Sequence, residues 1–209
     1  AAMTVSCGIL AFMYVPMKFA YLPSWLAYAA LTGTIGTGCW VIAHECGHNV
    51  FSKNRAIQDV VGYVLHSLLL VPYFSWQRSH AVHHSRTNHL TEGETHVPYI
   101  KGELKGTVNL ELHERIGEGP FAILQLVAHL VFGWPAYLLT GATGGSARGV
   151  TNHFIPSINT GPIELFPGSW KKKVWFSDIG VVGVVATLAY WAYNAGFATV
   201  AALYFGRTP

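Results

Sequence analysis

His44-Glu45-Cys46-Gly47-His48 and His80-Ala81-Val82-His83-His84 decide how this chain is read, the second stretch beginning 32 residues after the first ends. Residues three and four apart share a helix face. His44 and His48 therefore point together, and so do His80, His83 and His84. The segment from His44 to His96 holds eight of the eleven histidines. Two such spacings, each at the end of an apolar run, point to a convergent metal site rather than to scattered hydrogen-bonding histidines.

The flanking chain says where that site lies. It is 51% apolar and only 11% charged, roughly half the charge of an ordinary soluble domain. Residues 24–43 carry no charge over a length that crosses a bilayer. Residues 3–23 are apolar except for Lys18, which is placed to snorkel. With a turn at Leu22-Pro23-Ser24, the two runs read as a helical hairpin whose second arm delivers His44. Further uncharged runs cover 120–141 and 179–206. The second is too long for one span and breaks near Asn194-Ala195-Gly196 into 179–194 and the start of another segment, 196–206. Residues 60–77 are also uncharged, but a full crossing there would put the two boxes on opposite faces. With Pro72, Tyr73, Phe74 and Trp76 this run reads as interfacial and non-spanning. No strand-type alternation persists. The expected fold is an all-α integral membrane protein: a hairpin, then histidine boxes on interfacial or cytosolic helices, then further membrane helices, in one domain over 1–209.

Seven of the thirteen Lys and Arg fall between His44 and Gly119 and four more between 142 and 178, which puts both stretches on the cytosolic side. That conflicts with one complete crossing by 120–141, so a re-entrant run bent at Trp134-Pro135 is the alternative. The net charge of +3 and the lack of a basic stripe argue against nucleic acid. The cysteines read as reduced and structural. No charged leader precedes the first apolar run, and the chain reads as a piece of a longer one.

His44-Glu45-Cys46-Gly47-His48 also fits H-E-x-x-H, in which two histidines bind zinc and the glutamate is a general base. An intramembrane metalloprotease would need a third ligand. Asp59 and Asp178 lie in no ligand motif, and the second box would go unused. Five imidazoles exceed what one tetrahedral zinc takes, while imidazole also suits iron, copper or nickel. At the mouth of an apolar bundle the target is a lipid chain. Its methylenes are beyond side-chain acids and bases, so their oxidation calls for a redox metal and O2, and two irons are the economical answer.

These residues resemble the membrane-bound fatty acid desaturases, most closely the microsomal Δ12 (oleate) acyl-lipid desaturases. Beside the boxes, the resemblance rests on Val41-Ile42-Ala43, Leu65-His66-Ser67, Val71-Pro72-Tyr73-Phe74-Ser75-Trp76, Val97-Pro98, Gly133-Trp134-Pro135 and Phe176-Ser177-Asp178-Ile179-Gly180. It implies a di-iron centre facing the cytosol, O2 as oxidant, and electrons from cytochrome b5 or, in plastid relatives, ferredoxin. The substrate would be an acyl chain on a membrane lipid, in the endoplasmic reticulum or alternatively a plastid membrane. Carried over by position, His44, His48, His80, His83 and His84 are metal ligands. Glu45 is read as orienting a ligand imidazole, or equally as a plain interfacial carboxylate. No side chain is nominated as a catalytic base.

Departures from the family pattern are Asn49, where many members have histidine, and the lack of a third H-x-x-H-H box. The chain alone is therefore expected to be an incomplete, inactive enzyme. ω-3 desaturases and fatty acid hydroxylases share the same boxes. A non-enzymatic membrane regulatory or interaction protein derived from a desaturase is the reading of another class. Of the isolated histidines, His66 and His129 are expected in hydrogen-bonded structural roles, and His89, His96, His113 and His153 in solvated loops.

Overall fold

The computed structural model describes residues 8, 10–11, 13–98 and 104–204. Among them there is no strand, only an isolated bridge between Thr151 and Asn159, so the all-α expectation holds. Three helical stretches are long and apolar enough to cross a membrane: Phe19–Gly47, Glu118–Thr140 and Trp170–Ala195. The chain forms two compact units, one of residues 1–77 and 176–209, the other of residues 78–175.

In the first unit, α1 (Leu22–Gly47) follows a single 3-10 turn at Phe19–Tyr21. Pro23 sits in the first turn of α1, where its missing N–H costs nothing. The break expected at Leu22-Pro23-Ser24 thus lies earlier, at residues 15–18 around Pro16. The run expected at 3–23 begins outside the described residues. Hydroxyls of Thr32, Thr34 and Thr37 donate to carbonyls one turn back, at 2.7–3.0 Å, which satisfies them without water.

α2 (Arg55–Ser67) opens with Asn54, whose Oδ1 accepts from the Ala56 amide at 2.9 Å, an N-cap. The helix is amphipathic in the inverted sense. Gln58, Gly62 and His66 are buried, while Ile57, Val60 and Val64 are exposed. An apolar outer stripe suits the boundary of a bilayer. Leu70, with a φ of 59°, and Pro72 end the run, and α3 (Tyr73–Ser85) begins. α2 and α3 have 13 residues each, about 20 Å of helix apiece, short of the ~30 Å hydrocarbon core.

The first unit's other helical parts are most of α7 (Trp170–Ala195) and α8 (Phe197–Leu203), separated by Gly196 with a φ of 86°. α7 packs on α2 where Gly180 leaves room for Tyr63 and Ser67. Tyr63 donates to the Phe176 carbonyl at 3.1 Å, and the Ser177 hydroxyl accepts from the Phe74 amide at 2.8 Å. Cys46, Tyr73 and Phe74 form a small core with Val61 and Tyr63 against it.

The second unit contains α4 (Leu104–Ile116), α5 (Glu118–Ala128) and α6 (Trp134–Thr140). A π-helical turn, His129–Gly133, joins α5 to α6. The bend expected at Trp134-Pro135 is absorbed there: the widened turn accommodates the amide that Pro135 lacks, and the helical run continues. α7 begins at Trp170, earlier than the 179 expected from the charge run at 171–173. The reason is packing, since Val174 is fully buried with Val82, Leu165 and Phe166. Between α6 and α7 the chain is irregular. It is tied to α6 by Asn152, whose amide donates to the Leu139 carbonyl at 3.0 Å, and by the His153 amide, which donates to the Leu138 carbonyl at 2.8 Å.

Candidate metal centre

The first box forms the C-terminus of α1. His48 caps the helix through its amide to the His44 carbonyl at 3.1 Å, and Asn49 turns away with a φ of 61°, the left-handed conformation asparagine tolerates. Both histidines thus sit at the negative end of the helix dipole, which favours a cation. Their ring centroids are 4.5 Å apart. The His44 Nδ1–H donates to Glu45 Oε1 at 3.0 Å, a bond that directs the lone pair to Nε2. The His44 ring packs between Trp40 and Trp76, at 5.4 and 5.3 Å. Gly47, the fourth residue of the box, gives the Trp76 ring its place, because a Cβ there would stand 2.6 Å from it.

The second box lies on the later half of α3, in the second unit. Ser79 and Val82 are buried, Val82 among Leu165, Phe166 and Val174. That turns His80 and His84 to the opposite side and leaves His83 half-buried between. His80 and His84 bring their Nε2 atoms to 3.1 Å. Two ring nitrogens that close share a proton or a cation. The His83 ring is 5.5 Å from His84 and 6.0 Å from His80. Burial, and next His84 and His96 nearby, lower its pKa, a shift toward the neutral form that ligates metals. Within each unit, then, the residues of one box come together.

His89 turns back on its own loop, its Nδ1 accepting from the Glu92 amide at 3.0 Å. His89 and His96 are exposed. His153 is not the solvated loop residue expected but completely buried, and Glu94 is only 3% exposed. The reason is a polar network. Ser79 and Tyr137 hydroxyls are bonded at 2.7 Å, Tyr137 donates to Glu94 Oε2 at 3.3 Å, and Glu94 Oε1 stands 3.8 Å from His153 Nε2. Burial pushes Glu94 up to about 7 and His153 down to about 4. The pair is neutral between those values.

His66 departs from expectation as well. It is fully buried, and neither ring nitrogen makes the hydrogen bond foreseen for it. Burial, and next the neighbouring His44, lower its pKa to about 3. Its placement in an apolar run and the Leu65-His66-Ser67 match marked this histidine in the sequence, and neither told of its missing partner.

The donor set is all imidazole, with the rings of each box grouped together. It fits a transition metal of the kind imidazole binds better than a hard cation that seeks oxygen.

The profile of the family described as fatty acid desaturase matches residues 23–208. The chain is 38% identical over 191 residues to a Delta(12) fatty acid desaturase of Calendula officinalis, covering 91% of this chain and 47% of that protein. It is 38% identical over 193 residues to a Delta(12)-fatty-acid desaturase of Arabidopsis thaliana, covering 92% and 48%. An oleate hydroxylase of Claviceps purpurea is 36% identical over 207 residues, covering 91% and 42%. The chain thus spans about half the length of the curated relatives it matches. No solved structure matches it. Two histidine boxes on an all-helical membrane scaffold and a profile match over nearly the whole chain lead to one conclusion: the chain belongs to the fatty acid desaturase family.

Proposed function

We propose that the protein introduces a cis double bond, at the Δ12 position, into an acyl chain carried on a membrane lipid. The overall change removes two hydrogens from adjacent methylenes, and O2 takes them with two electrons and two protons to give two waters. Cytochrome b5, or ferredoxin in a plastid, supplies the electrons. The observation that carries this reading is an imidazole-only donor set at the polar end of an apolar, membrane-length helix. His44 and His48 lie together at the end of α1, and His80, His83 and His84 lie together on α3.

Two irons bound by these five histidines would supply the redox chemistry with O2 that no side chain can. The rest falls to the chain itself. Glu45 holds the His44 ring in one tautomer, and Trp40 and Trp76 cover part of it. The lipid-facing helices bring the substrate, and Lys and Arg around the boxes favour the cytosolic side, most simply of the endoplasmic reticulum.

The test is lipid analysis of yeast expressing the complete gene. New dienoic C18 acyl chains are expected. Hydroxylated chains instead would support the second reading, which the oleate hydroxylase relative favours. No new product from well-expressed, iron-loaded protein would defeat both.

A further inference from the structure

His66 is an expensive residue as it stands. A buried polar group without a hydrogen bond destabilises the fold, and both nitrogens of this imidazole are in that position. Gln58, two turns earlier on the same buried face of α2, is satisfied, its Oε1 accepting from the Ser52 amide at 3.2 Å. The ring of His66 is walled by aromatic groups: Trp76 at 4.8 Å and perpendicular, Tyr73 at 5.6 Å and Trp40 at 6.2 Å. Such a pocket would suit phenylalanine, and it offers a bridging water few of the two to four polar partners it requires.

What the surroundings do supply is closeness to the first box. Trp40 and Trp76, the indoles that pack on His66, are those that pack on His44. His66 also lies within electrostatic range of His44. A neutral imidazole carries a proton on one ring nitrogen and a lone pair on the other, and the lone pair is what ligates a metal. A neutral imidazole lacking a donor is completed by an electrophile.

We propose that His66 is a further ligand of the metal centre, a sixth imidazole supplied by α2 rather than by either box. The assignment rests on the metal-centre reading above. It gives α2 a task beyond linking the boxes, because the face that carries His66 inward is the one opposite its apolar outer stripe.

The decisive variant is His66→Phe in the product of the complete gene, purified in detergent and compared with wild type and with His44→Ala. Measured are iron per chain, the rate of iron loss to a chelator, the count of imidazole nitrogens in the iron X-ray absorption spectrum, and the melting point of the metal-free protein. Phenylalanine removes two unsatisfied nitrogens and fills the aromatic pocket. The metal-free variant should therefore melt at or above wild type, yet lose iron at least about tenfold faster and show fewer imidazole nitrogens. Wild-type iron content, release rate and nitrogen count in His66→Phe would overturn the assignment and leave His66 a core residue. In that case His44→Ala, still losing iron, would leave the metal-centre reading intact. A wild-type protein that retains no iron would overturn both. Should His66→Phe fail to fold, His66→Ala with added free imidazole decides: restored iron retention supports the ligand, and no restoration overturns it.

Discussion

At Gly62 a missing side chain does the work of a side chain. A Cβ there would overlap the ring of Tyr73, which is completely buried. Glycine inside a helix ordinarily costs ~1 kcal/mol relative to alanine, so the exchange Gly62→Ala would normally stabilise. Here it should destabilise by about 1–3 kcal/mol, the usual cost of overpacking, because a buried ring must move. Thermal unfolding in detergent checks the sign, and a stabilised variant would show that Tyr73 yields freely. Gly47 serves Trp76 in the same way. The histidine spacings were legible because helix periodicity is local, whereas these glycines were not. The ring that fills each notch lies 11 residues from Gly62 and 29 from Gly47, and periodicity carries no information over that distance. His66 was half legible: its burial followed from an apolar context, and its want of a partner did not.

The loop after α3 and the irregular segment after α6 are joined by Glu94 and His153, whose pKa values move in opposite directions. Glu94 rises from 4.5 to about 7 and His153 falls from 6.5 to about 4, both chiefly by burial. Between pH 4.5 and 6.5 the folded pair holds one proton, on Glu94. The unfolded chain also holds one, on His153. Stability depends on the difference in bound protons, so the wild-type pair contributes almost no slope in that window. Single variants should uncover one. In Glu94→Gln only His153 remains, a base with a depressed pKa, and stability present above 6.5 is lost as pH falls through about 4. In His153→Phe only Glu94 remains, an acid with a raised pKa, and stability present below 4.5 is lost as pH rises through about 7. Melting points of the three proteins across this range test the argument, and equal slopes in the two variants would refute it. No sequence pattern announced this pair. Glu94 and His153 are 59 residues apart in a part of the chain rich in charge, and their burial follows only from the docking of both segments on Tyr137.

For the whole molecule, the apolar runs were the legible part, since bilayer crossing depends on length and composition alone. Helix ends were less so: Lys171, Lys172 and Lys173 suggested a loop, yet they ride on α7 because Val174 and Trp170 pack beneath. The ligand assignment is open to a contrast between two histidines. His83→Ala should abolish desaturation by the product of the complete gene, because exposed His89 is committed to its own loop and cannot replace the lost imidazole. His113→Ala should leave activity near wild type, its ring contact being with Phe121 at 5.1 Å, within α4 and α5. Comparable losses in both would undo the assignment. The inverted amphipathicity of α2 has a consequence at the bench. A helix whose greasy side faces outward does not need to unfold in order to aggregate. When lipid or detergent is withdrawn, such protein should precipitate with its helical circular dichroism intact, so turbidity would record a correct fold in the wrong solvent.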